Sequence, residues 1–223
     1  MPHLRVLHLS DLHITRKDRF IRRLARRPAA QPEILKALAE SIYDNRNEID
    51  GIIISGDLAD IGWHHDLNPA LDFIDSPGNS YSDQPWLNSH RLPTLQSCGK
   101  PIIIVPGNHD RFVNYSGKPG SEFDIFFSSF WTTGLGGVQE YFLPDSARPL
   151  LAIICADFSL ERVIDCSVLR GHWGQGKVYQ NRLIKLTEKT NLINSLHPSI
   201  AVIWVIHFAP KFENYHDFDE ACL

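Results

Sequence analysis

The chain has no apolar run long enough to span a bilayer, no internal repeat and no low-complexity tract, which excludes a membrane-spanning helical protein or a repeat array. The four cysteines, Cys98, Cys155, Cys166 and Cys222, form no CxxC or metal-finger spacing, and Cys155 sits inside an apolar run. Reduced thiols in a cytoplasmic protein are the expectation. No leader precedes the first strand pattern, so no secretory signal is expected. A formal net charge of -4 gives no global attraction to nucleic acid. With 223 residues, 43% of them hydrophobic, and no shift of composition that marks a boundary, a single domain over 1–223 is expected.

Against this plain background, four apolar runs each end in residues that bind metal ions. Val6-Leu7-His8-Leu9-Ser10 leads into Asp11-Leu12-His13, and Ile52-Ile53-Ile54-Ser55 leads into Gly56-Asp57-Leu58-Ala59-Asp60. Ile102-Ile103-Ile104-Val105 leads into Pro106-Gly107-Asn108-His109-Asp110, and the run from Ala201 to Ile206 stops at His207. Short β-branched runs with little alternation read as strands buried on both faces, the signature of a parallel sheet flanked by helices. Functional groups of such sheets gather at the carboxyl ends of the strands, so one sheet edge is expected to collect Asp, His, Asp, Asn and His.

The rest of the chain fits an α/β domain. Gln31 to Tyr43 carries apolar residues at helical spacing, with Pro32 suited to a first turn. Ile61 to Lys100 reads as a long irregular excursion with one short helix at Pro69 to Ile74, leaving from the metal-binding edge as a wall that selects substrate. Helices are expected at Ser121 to Trp131 and Asn181 to Asn194, and strands near Tyr141 and at Leu150 to Ala156. His64-His65-Asp66 reads first as a solvated polar loop, and Trp63, Trp86 and Trp131 as core or rim packing. Between Ile14 and Pro28 lie seven basic residues, Arg16, Lys17, Arg19, Arg22, Arg23, Arg26 and Arg27. They suit the solvated face of an amphipathic helix, and also an electropositive rim that attracts phosphate esters.

Each cluster has its own chemistry. If the extended backbone persists, Asp11 and His13 project to one side and can grip one ion. Gly56 and Gly107 let the backbone approach closely beside Asp57 and Asn108, which leaves the Asp57 carboxylate free to bridge two ions. Asn108 offers a neutral amide oxygen. His109 can serve as ligand, acid, base or hydrogen-bond donor to phosphate, and its residue type does not choose among these. Asp110 reads as a structural hydrogen-bond acceptor.

In their order, D-L-H, G-D-L-A-D, G-N-H-D and a strand-terminal His resemble the calcineurin-like metallophosphoesterases over Leu4 to Pro210. The resemblance implies a four-layer α/β/β/α sandwich and two divalent or mixed-valence metal ions, Mn, Fe or Zn. It implies Asp11 and His13 as ligands of the first metal, Asp57 as the bridge, and Asn108 and His207 as ligands of the second. His109 would protonate the leaving oxygen, with the Asp60 carboxylate orienting it. Phosphate mono- or diesters would be hydrolysed by attack of a hydroxide bridging the two ions, with a small phosphodiester as the preferred substrate.

One motif departs from the pattern. No G-H-x-H follows His207, and Gly171-His172-Trp173-Gly174 comes too early and lacks the second histidine. The chain therefore reads as truncated at its C-terminal end, with each metal one protein ligand short. Water or a partner chain completing that edge fills the gap, or the chain is an impaired member that keeps only metal binding or an interaction role. A nuclease is a further alternative: it would use the basic segment, but no aromatic platform for stacked bases is interleaved with it.

Overall fold

The computed structural model describes residues 3–15, 32–75, 93–112, 120–159, 161–162, 174–175 and 179–207. The basic segment 16–27, residues 76–92 of the excursion before the third strand with Trp86 among them, Cys166, residues 171–173 and the tail 208–223 lie outside these.

The first three apolar runs form β1 (Val6–Leu9), β2 (Gly51–Ser55) and β3 (Ile102–Val105), a parallel sheet in the order β1-β2-β3. The central strand is buried throughout, as its unbroken Gly-Ile-Ile-Ile-Ser run requires. α1 (Pro32–Asp44) places Leu35, Ala39 and Ile42 in the core at helical spacing. α2 (His64–Ile74) starts five residues before the expected short helix. Its core residues Leu67, Ala70, Phe73 and Ile74 recur at helical spacing and carry the helix through Pro69, which lacks the N–H an interior turn needs. His64 and His65 thus open a helix, and Asp66 is fully buried and accepts a hydrogen bond from Thr15 Oγ1 at 3.0 Å. This corrects the expectation of a solvated loop.

After β3 come a single turn, α3 (Asn108–Arg111), and α4 (Glu122–Phe126), which ends before the expected Trp131. Trp131 is buried and donates from Nε1 to the Gly134 carbonyl. The second sheet has β4 (Val138–Leu143) antiparallel to β5 (Leu151–Ala156), and β5 parallel to β8 (Ala201–Val205). A short ribbon, β6 (Glu161–Arg162) with β7 (Gly174–Gln175), and the long helix α5 (Gln180–Leu196) separate β5 from β8.

Alternation along β5 shows how the layers stack. Ile153 and Cys155 join the main core with the residues of the first sheet, whereas Ala152, Ile154 and Ala156 pack with Leu186 and Ile193 of α5. The two sheets therefore face each other, with α5 on the outer face of the second and α1 and α2 sharing the core of the first. This is the expected α/β sandwich. β8 departs from the expectation of a strand buried on both faces: it is the outer strand of its sheet among the described residues, and Ile203 and Trp204 are exposed. Cys98 and Cys155 are free and buried. Among the described residues no helix is long and apolar enough to cross a membrane.

Candidate metal centre

The residues expected at one sheet edge converge, but from two sheets. Asp11, His13, Asp57 and Asn108 follow strands of the first sheet, and His207 follows β8 of the second. Nor does the extended backbone of β1 persist to Asp11 and His13. Both are left-handed, with φ of 56° and 46°, and so is Asp57 at 51°. Non-glycine residues seldom occupy this region and need surrounding contacts to hold them there. The contacts are main-chain bonds between the two exit loops: Asp11 N–H donates to the Gly56 carbonyl, His13 N–H to that of Asp57, and Ile14 N–H to that of Leu58, at 3.1, 2.9 and 2.8 Å.

Asp57 is the hub. It is 4% exposed, and its Oδ1 accepts the His109 main-chain N–H at 2.9 Å. His13 Nε2 lies 3.8 Å from Asp57 Oδ2 on one side, and His207 Nε2 lies 3.3 Å from Asp57 Oδ1 on the other. Ligand atoms of Asp11, His13 and Asp57 all fall within 4.8 Å of one another, as do those of His13, Asp60 and His109. His207 Nδ1 donates to the Ser55 carbonyl at 2.8 Å, which turns Nε2 toward Asn108 Oδ1 at 3.1 Å.

The electrostatics favour a cation. Burial alone would raise the Asp57 pKa, but the hydrogen bond from His207 and the nearby imidazoles hold it below the usual carboxylate range. His207 is pushed up to about 9: burial opposes its charge and the Asp57 carboxylate outweighs burial. Two oxygens facing one nitrogen require a positive centre among them, a proton or a metal ion. Burial, reinforced by His109, lowers the pKa of His13 and favours the neutral, metal-ligating imidazole. Its Nδ1 is buried and has no hydrogen-bond partner among the described residues. A buried orphan nitrogen, strained ligand residues and a carboxylate shared between two imidazoles fit bound metal ions.

The His109 ring is held by a main-chain bond. Its Nδ1–H donates to the main-chain carbonyl of Asp60 at 2.6 Å, while the Asp60 carboxylate comes within 3.8 Å of His13 Nδ1. The Asp60 N–H in turn donates to the Ile14 carbonyl at 3.0 Å. His109 Nε2 lies 3.9 Å from Asp57 Oδ2, and its ring meets the His13 ring edge to face.

Asp110 is the acceptor the sequence suggested. Nearly fully buried, it takes the N–H groups of Gly107 (2.8 Å), Ala59 (2.8 Å) and Leu58 (3.3 Å), tying the turn after β2 to the turn after β3. Burial and the neighbouring Asp57 charge push its pKa up to about 7 against those three donors. Asp110→Asn, which turns an amide NH₂ toward a backbone donor, is expected to cost about 2 kcal/mol at pH 8, read by chemical denaturation. An unchanged midpoint would mean that the two turns hold each other without it. Sequence reasoning missed Arg111. It follows the G-N-H-D motif directly, and a fully buried arginine beside a site is visible only once its two carboxylate partners are in place.

Comparison with known proteins identifies the family. No curated protein matches the chain. The model of the family described as calcineurin-like phosphoesterase matches residues 4–180, which take in Asp11, His13, Asp57, Asp60, Asn108 and His109 and end before His207. That match covers well over half of the sequence, and the chain belongs to the calcineurin-like phosphoesterase family.

Proposed function

We propose that this chain is a metal-dependent phosphodiesterase acting on a small phosphodiester. The observation that carries the reading is Asp57, a buried carboxylate placed between His13 on one side and His207 with Asn108 on the other. Asp11, His13 and Asp57 would hold one cation, and Asp57, Asn108 and His207 a second. Such ions, Mn, Fe or Zn, supply charge that clamps a phosphate and acidifies water.

The protein's own groups account for the remaining needs of the reaction. In-line displacement at phosphorus leaves an alkoxide that needs a proton. His109 can supply it as the imidazolium: Nδ1–H stays on the Asp60 carbonyl and fixes the ring, and the proton on Nε2 is transferred. Asp57 Oδ2 lies 3.9 Å from the same Nε2, so the transferring atom faces the proposed cation site.

The test is hydrolysis of bis(p-nitrophenyl) phosphate by metal-stripped protein with Mn²⁺ added back. Turnover should appear with Mn²⁺. His109→Ala should lower kcat by about 10²- to 10⁴-fold on a dialkyl phosphate, whose leaving alkoxide needs the proton, and by less on the p-nitrophenyl ester, while Mn²⁺ binding is kept. A folded sample that binds Mn²⁺ without turnover would favour a metal-binding or interaction module. Salt-sensitive binding of DNA would favour the nuclease reading.

A further inference from the structure

Arg111 is 0% exposed, and its guanidinium sits among two carboxylates and an aromatic ring. Nε donates to Asp157 Oδ2 at 3.0 Å, and Nη2 lies 2.8 Å from both Asp157 Oδ2 and Asp124 Oδ1. Nη1 donates to the Gly120 carbonyl at 3.3 Å, and the Phe123 ring centroid is 5.2 Å away. Burying such a charge is expensive, and an apolar side chain of similar size commonly serves stability as well or better. The location of the group is therefore more informative than its contribution to stability.

Arg111 closes the turn that carries Asn108 and His109, beyond the first sheet. Asp157 lies two residues past Cys155 of β5, and His207 two residues past Val205 of β8. Cys155 and Val205 are register partners in the parallel pair, so Asp157 and His207 occupy equivalent positions at the end of the second sheet. Asp157 is fixed in turn by the N–H groups of Gly136 at 2.9 Å and Ser159 at 3.0 Å, and Ser159 Oγ donates back to the Pro106 carbonyl at 3.2 Å. Arg111–Asp157 and Ser159–Pro106 thus tie the end of β5 to the Asn108 turn. The pair these ties would hold in register, Asn108 Oδ1 and His207 Nε2, is 3.1 Å apart across the same two sheets.

We propose that Arg111 and Asp157 are positioning residues that set the spacing between the two sheets at the half of the site formed by Asn108 and His207. The proposal rests on the reading that these two residues share a cation. Asp11 and His13 are bound to the exit loop of β2 within the first sheet, so their half of the site does not depend on the clamp. Asp124 pairs with the same guanidinium from α4, outside the second sheet, and provides an internal control.

Calorimetric titration of metal-stripped protein with Mn²⁺ tests this. Asp157→Asn should weaken one of two sites by about tenfold and leave the other unchanged, as loss of outer support commonly does. Arg111→Lys, which keeps the charge but not the fork, should weaken the same site, and it carries the test if Asp157→Asn fails to fold. Asp124→Asn should change neither. Equal weakening of both sites, or equal effects of Asp124→Asn and Asp157→Asn, would reduce the cluster to general core support and overturn the proposal. Histidine ¹⁵N resonances of the metal-stripped protein separate this from failure of the ligand reading. If the unsubstituted protein takes up fewer than two Mn²⁺, the ligand reading fails. A His207 ring signal that moves in Asp157→Asn while that of His13 stays still supports the clamp, and one that does not move overturns it.

Discussion

Asp57→Asn is expected to lower Mn²⁺-dependent hydrolysis of bis(p-nitrophenyl) phosphate by about 10³-fold or more while the protein stays folded. The substitution is nearly isosteric. Its amide oxygen can still accept the His109 main-chain N–H that Oδ1 accepts at 2.9 Å, so the turn keeps its anchor. The negative charge is lost, however, and Asp57 faces His13 at 3.8 Å, His207 at 3.3 Å and His109 at 3.9 Å. Both proposed cations share that charge, so both sites should weaken together, unlike the one-sided effect expected of Asp157→Asn. Mn²⁺ titration of the variant beside the activity assay checks this. Retention of one site at full affinity would remove Asp57 from its role as the bridge.

The largest expected loss of stability comes from Gly107→Ala. The backbone of Gly107 is ordinary, with φ of -97° and ψ of -179°, so conformational strain is not the issue. The constraint is space: a Cβ there would penetrate the main-chain nitrogen and the Oδ1 of Asp57, with Cγ at 3.0 Å. Asp57 is itself in the left-handed region and pinned by the loop bonds, and so has little freedom to yield. A cost of about 3 kcal/mol follows, a fall in Tm of roughly 10 °C, together with loss of turnover because the displaced group is the shared carboxylate. Gly99→Ala separates crowding from strain. Gly99 has φ of 66° but nothing within 4 Å of an added Cβ, so only about 1 kcal/mol is expected. Differential scanning calorimetry of the two variants measures both, and equal shifts would refute the crowding argument.

Gly56 shows the same principle against the other sheet. Its φ of 95° suits glycine, and a Cβ there would strike the His207 imidazole. The two glycines that precede Asp57 and Asn108 are thus the places where the loops and His207 approach too closely for any side chain.

The local signals were legible because each depends on neighbours in sequence. β2 and β3 are apolar runs that must be buried on both faces, and α1 shows its core stripe in Leu35, Ala39 and Ile42. One expectation from local geometry failed. Extended alternation was expected to align Asp11 with His13, yet loop-to-loop bonds to Gly56, Asp57 and Leu58 override it. The resemblance implied the Asp60 carboxylate as the partner of His109, and the structure shows a bond from the ring to the Asp60 carbonyl. α2 extended past its proline because burial of Leu67 and Asp66 is a tertiary matter.

By itself the sequence determined the types of the candidate ligand residues, their order and the strands that end in them, because apolar runs and the glycines beside Asp57 and Asn108 act over a few residues. Only the tertiary structure decided that His207 arrives from a second sheet, that His13 carries a buried nitrogen with no hydrogen-bond partner among the described residues, and that Arg111 joins Asp157 across the layers. Those outcomes depend on strand register and on the meeting of two sheets, which bring together groups as far apart in the chain as Ser55 and His207, and no local pattern encodes that distance.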